Sequence, residues 1–201
     1  MNERLNRAKN IHTIEDLRSV SSSPVIDMES INEIKSRFTD IHGVAIEGFD
    51  KKDLFAVKAT LSGYDDMLSE YPEIRKGLNT IRYVGNIGSM GDWNSAGLSR
   101  VGKSGQQDYG TGIHESAHAL DYARSQKTKG LYSEQIVERA RKNLGYRKNG
   151  ADYIRVRMDL TADLGDARDS REVFAYAIES HKGGCGNDFA AEIYRLVKEG
   201  K

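Results

Sequence analysis

Thr111-Gly112-Ile113-His114-Glu115-Ser116-Ala117-His118-Ala119-Leu120-Asp121-Tyr122-Ala123-Arg124 is the stretch that decides the fold. Ile113, Ala117 and Leu120 recur at i, i+4 and i+7, so the segment predicts a helix with one packing stripe. His114 and His118, four apart, project one turn apart from the face beside that stripe. Two imidazoles so placed can hold one metal ion, and H-E-x-x-H on a helix is the zinc pattern. Glu115 sits about 100° round the helix from His114. It lies beside the metal rather than on it, where it can take a proton from a water whose pKa zinc brings from about 15.7 to about 7. Asp121, three residues after His118, is placed to accept the spare ring N–H of a ligand histidine and fix its tautomer.

A catalytic zinc usually takes three protein ligands and keeps one open position. The metzincin arrangement would need glycine at 121 and histidine at 124, but Asp121 and Arg124 stand there. The single cysteine, Cys185, lies well downstream in a glycine cluster, Gly183-Gly184-Cys185-Gly186, and reads as a small loop residue. A later helix, Asp169 to Ser180, offers Glu172 and Glu179, seven apart on one face. Glu172 is the favoured third ligand and Glu179 the alternative. Asp169-x-x-Glu172 also fits a capping box, which would leave Glu172 only closing the first turn.

The rest of the chain supplies a frame for this helix. Ile31, Ile34 and Phe38 predict a helix capped by Asp27 and ended at His42-Gly43; Lys51 to Glu70 predicts another, stopped by Tyr71-Pro72. Val44 to Ile46 and Asn79 to Gly85 read as strands. Eight glycines between Gly85 and Gly112 predict a loop region holding one short strand near 96–101, with Leu98 to Val101 as an edge strand. Ser133 to Leu144 and Asn187 to Lys198 read as helices, and Ala151 to Val156 as a short strand. The fold class predicted is α+β: a mainly helical domain with a small mixed sheet, spanning 25–201 behind an N-terminal arm and linker at 1–24.

His114-Glu-Ser-Ala-His118-Ala-Leu-Asp121, answered by Glu172-Val-Phe-Ala-Tyr-Ala, resembles the zincin domain of the anthrax-lethal-factor-like metallopeptidases. The resemblance implies a zincin-like fold and one zinc per chain on His114, His118 and Glu172, with Glu115 as general base and Asp121 as the acid behind a ligand ring. It implies a zinc endopeptidase whose protein or peptide substrate binds in extended form, and an origin among toxins, effectors or phage-associated proteins. That family carries an oxyanion-stabilising tyrosine just upstream of the ligand glutamate. Asp163 to Ser170 holds none here; Tyr109 and Tyr153 are the substitutes on offer, but packing is the commoner role of a tyrosine, and the oxyanion donor is left unassigned. The same residues also suit a non-catalytic module braced by zinc, or an amidase acting on a non-peptide amide.

Thirty Lys plus Arg balance thirty Asp plus Glu, so no overall field draws the 201-residue chain to nucleic acid or an anionic membrane. Gly97-Leu-Ser-Arg-Val-Gly102-Lys103-Ser104 satisfies G-x-x-x-x-G-K-S, but no buried strand precedes it and no helix opens at Lys103-Ser104, so nucleotide binding is not expected. Met1 to Pro24 lacks the apolar core of a signal peptide, and no run of 18 apolar residues occurs. The expectation is a soluble chain, cytoplasmic or exported by a non-classical route.

Overall fold

The computed structural model describes residues 11–105, 108–161 and 163–200. In chain order these form α1 (Ile14–Val20), α2 (Ile31–Arg37), β1 (Ala45–Glu47), α3 (Leu54–Glu70), β2 (Thr80–Gly85), β3 (Gly91–Asn94) and β4 (Leu98–Gly102). Six helices follow: α4 (Tyr109–Ser125), α5 (Tyr132–Asn143), α6 (Ala151–Thr161), α7 (Leu164–Arg168), α8 (Ser170–Lys182) and α9 (Asp188–Lys198). The architecture is α+β and mainly helical, with one four-stranded sheet in the order β1-β2-β4-β3. β1, β2 and β4 run parallel, and β3 runs antiparallel to β4.

Local chemistry fixes the helix starts. The Asp53 side chain accepts from Ala56 N at the head of α3, and Asp108 accepts from Gly110 N and Thr111 N at the head of α4. α2 is capped by Ser30, with Glu33 completing a capping box, whereas the expected cap, Asp27, closes a 3-10 turn and pairs with Arg18. Gly43 takes the left-handed conformation, φ 67°, that ends the turn after α2.

Three further sequence expectations are corrected. Ala151–Thr161 is a helix rather than a strand, because Tyr153 and Leu160, seven apart, are buried on one side while Ile154 and Met158 face out; the β-propensity of Tyr, Ile and Val hid that period. The glycine-rich region holds two strands, not one. Asn94-Ser-Ala-Gly97 folds into a tight turn with Gly97 at φ 82°, so β4 lies inside the sheet and β3 is the edge. The stretch matching the phosphate-loop pattern is therefore a hairpin turn and a strand. Lastly, residues 11–24 are packed onto the domain: Leu17 is fully buried, and Ser21 and Ser23 bond to Asp66 and Asp65 on α3. The first ten residues of the expected arm lie outside the described residues.

The two long helices, α3 and α4, cross at paired glycines. A Cβ at Gly63 would stand 2.3 Å from the Tyr109 carbonyl oxygen, and one at Gly112 would stand 2.3 Å from the Thr60 carbonyl oxygen and 2.8 Å from Tyr64 N. Backbone meets backbone there, so a methyl group has nowhere to go. α4 is also covered by α8, by the 3-10 turn Pro72–Lys76 and by β3. Its placement against the sheet is reinforced by Trp93, which donates from Nε1 to Gly77 O at 2.6 Å and packs on Tyr122. Among the described residues no helix is long and apolar enough to cross a membrane.

Asp65, 1% exposed, gathers the N-terminal segments onto α3. It accepts from Arg37 Nε and Nη2 at 2.7 and 3.0 Å and from Ser23 Oγ at 2.9 Å, and it meets His42 Nε2 at 2.7 Å. Burial pushes its carboxyl up, but the donors from His42, Arg37 and Ser23 more than reverse this and leave it below its ordinary value.

Two outcomes are expected. Gly112→Ala should lower the urea midpoint by the equivalent of about 1–3 kcal/mol despite alanine's better helix propensity; an unchanged midpoint would mean that the crossing yields freely. Because the folded pKa of Asp65 is depressed, its stabilisation is complete above about pH 4–5 and lost as pH falls through the folded value. Asp65→Asn should therefore flatten the acid limb of the stability–pH curve, and by leaving Arg37 unpaired should cost about 3–5 kcal/mol at neutral pH.

Candidate metal centre

Three side chains from two helices converge where α4 packs on α8. His114 and His118 come from successive turns of α4, and Glu172 from the first turn of α8. His118 Nε2 lies 3.2 Å from His114 Nε2, Glu172 Oε2 lies 3.3 Å from His114 Nε2, and Glu172 Oε1 lies 3.5 Å from His118 Nε2. The two carboxylate oxygens of Glu172 thus face one imidazole each, and one ligand atom from each of the three residues lies within 4.8 Å of the others, close enough for all three to reach one small divalent cation. The three residues form the one metal-competent group among the described residues, and Cys185 is not part of it. The rings are largely shielded, with 12% and 14% of each side chain exposed, and Glu172 is the most open member at 29%.

The capping alternative for Glu172 does not describe α8. Asp169 caps that helix by accepting from Arg171 N at 2.8 Å, while the Glu172 carboxylate turns toward the histidines. Glu179, two turns further on, lies behind His114: Nδ1 faces Glu179 Oε2 across 3.1 Å, while Nε2 faces Glu172 and His118. The chain makes room for that carboxylate with Gly110, where a Cβ would fall 2.9 Å from Glu179 Oε1.

The electrostatics invite a cation. Hydrogen bonds from His114 and His118 hold Glu172 far below the usual carboxylate range. Burial pulls the His114 imidazole down, but Glu172, Glu179 and Glu115 raise it to about 10. A histidine that takes up a proton so readily marks a pocket whose carboxylates outnumber its positive charges, which is what a dication would neutralise.

Glu115 is 5% exposed and lies between α4 and β3. Burial pushes its carboxyl up, the two imidazoles pull it down, and Glu172 and Asp92 raise it again. Gly91 on β3 sits directly against it, since a Cβ there would be 2.9 Å from Glu115 Oε1 and 3.0 Å from Thr111 Cγ2. The base candidate therefore lies under an edge strand whose nearest residue has no side chain.

Two sequence assignments are placed elsewhere. Asp121 accepts from Ser133 N at 2.6 Å, Ser133 Oγ at 2.9 Å and Ser125 Oγ at 3.3 Å, tying α4 to the start of α5. The carboxylate that meets one of the two histidines from behind is Glu179. Tyr109 donates to Asp66, and Tyr153 stacks on Tyr146 and accepts from Arg157, so neither meets the histidines. The aromatic residue at the site is Tyr176, whose ring centroid lies 4.4 Å from that of His114 and whose hydroxyl donates to Asp166 at 3.3 Å. It follows Glu172 by four residues, and that spacing was the available signal.

The chain matches no family model, no curated protein and no solved structure.

Glu179→Ala should weaken metal binding about 10–100-fold in a chelator competition. Asp121→Ala should instead lower thermal stability with a smaller effect on the metal; the reverse ranking would return Asp121 to the ligand ring.

Proposed function

We propose that the chain is a zinc-dependent endopeptidase, with one zinc held by His114, His118 and Glu172 and with Glu115 as general base. The observation that carries this reading is the convergence of His114, His118 and Glu172, whose ligand atoms lie within 4.8 Å of one another, with a buried carboxylate outside that group on the residue after the first histidine. The resemblance to the lethal-factor-like zincins supports the same roles. When bound, zinc supplies Lewis acidity, which polarises a carbonyl and makes water a usable nucleophile near neutral pH.

The chain's own residues do the rest. Glu115 accepts the proton of the attacking water and returns it to the leaving amine, a shuttle suited to a carboxyl already raised by burial. Glu179 keeps the His114 proton on Nδ1. β3, the edge strand of the sheet among the described residues, supports binding of an extended peptide by strand addition, and Gly91 lets that peptide's backbone approach Glu115.

Metal content and cleavage of a random peptide library, measured on the same preparations, test the reading. Wild type should carry one zinc and cleave; Glu115→Gln should keep the zinc and lose about 10²–10⁴-fold in kcat/KM. Glu172→Ala should lose the metal and the activity together. Undiminished cleavage by Glu115→Gln would remove the base, and zinc without cleavage in wild type would point to a non-catalytic module.

A further inference from the structure

At the far end of α4 from the histidines is a cavity of about 360 Å³, within the size range of small-molecule sites. Arg124 lines it, with only 16% of the side chain exposed. That guanidinium is already committed: Nε and Nη2 donate to Glu73 Oε1 at 3.1 and 2.9 Å, while Nη1 donates to the Tyr132 hydroxyl at 2.7 Å and to Val197 O, in the last turn of α9, at 2.9 Å. Glu73 and the carbonyl end of α9 thus answer the charge of Arg124 locally.

Two other cations line the same cavity, Lys127 just beyond α4 and Arg139 on α5. Neither has a carboxylate partner among the described residues, although the surface of this chain is rich in ion pairs and the nearby Glu138 is taken by Arg141 and Lys142. They come from separate elements and line the same cavity as Tyr132, 5% exposed, and Ile136, 1% exposed. The cavity therefore has two lining cations without a carboxylate partner among the described residues, apolar lining from Tyr132 and Ile136, and more space than an inorganic ion fills.

We propose that this cavity binds a small phosphate monoester, its phosphate between Lys127 and Arg139 and its organic body against Tyr132 and Ile136. A phosphate monoester carries about −1.5 to −2 at neutral pH, which matches the two lining cations, whereas a carboxylate would leave one unanswered. The assignment is independent of the metal centre and of any peptidase activity.

Calorimetric titration of the full chain with phenyl phosphate, inorganic phosphate and benzoate at matched ionic strength tests it. Phenyl phosphate should bind saturably and more tightly than either control, and its affinity should fall as pH drops below about 6, where the phosphate gains a proton. Lys127→Ala and Arg139→Ala, both at exposed positions, should each weaken it about tenfold or more, as expected for a lost charge-assisted hydrogen bond, with metal content unchanged. No saturable binding, equal binding of benzoate, or variants that bind like wild type would each overturn the proposal.

Discussion

Everything at the metal centre depends on how closely α3 and α4 approach. Gly63 and Gly112 bring two backbones into contact at a point two residues before His114, where a methyl group on either would stand 2.3 Å from a carbonyl oxygen of the other helix. This contact allows α4 to sink into the core along its apolar stripe, with Ile113, Ala117 and Leu120 fully buried. Its histidines then emerge on the neighbouring face at the level of α8. A wider crossing would lift α4 as a rigid rod, and since Glu172 belongs to another helix, the lift would open the donor triangle directly. The precision of the site is thus set by packing some distance from the donor atoms.

α8 supplies the complementary periodicity. Glu172, Tyr176 and Glu179 fall at i, i+4 and i+7, so one helical face delivers a carboxylate to both imidazoles, an aromatic ring to the side of His114 and a second carboxylate to its Nδ1. The opposite face, with Val173, Phe174 and Ile178, is buried in the core. Each helix therefore divides its circumference between packing and chemistry, and the two chemical faces meet at an interface that both packing faces hold in register.

The site was legible in the sequence where local spacing determines geometry. His114, His118 and Glu172 come together as helical periodicity and the family resemblance implied, and the α+β class followed from the order of helical and strand patterns. What spacing alone does not determine is which neighbour a polar side chain finds across an interface. Asp121 was in phase with the histidines, yet Ser133 and Ser125 lie within its reach, and that proximity depends on the α4–α5 turn. Glu179 appeared as a rival ligand because it shares a face with Glu172; only the crossing of α4 and α8 decides that it meets Nδ1 rather than the point between the Nε2 atoms. Strand β3 was hidden for a related reason. Its four residues, Gly91-Asp-Trp-Asn94, have no apolar alternation, and they are a strand because the turn at Gly97 folds them against β4 while Trp93 anchors them to α4.

Four carboxylates on or beside α4 illustrate how environment assigns role. Glu172 receives hydrogen bonds from two imidazoles and is held far down, a permanently ionised group suited to holding a cation. Glu179 meets His114 Nδ1 and so bears on the orientation of that ring. Asp121 accepts from a backbone N–H and two hydroxyls, neutral donors that fix it as a brace between helices. Glu115 is held in place by burial under Gly91 and is raised rather than lowered. A carboxyl in that state accepts a proton more readily than Glu172 does. The same functional group thus stands in four different surroundings, and the proposed roles follow them: Glu172 faces both imidazoles, Glu179 faces His114 Nδ1, Asp121 braces α4 to α5, and Glu115 lies buried beside the histidines with its affinity for a proton raised.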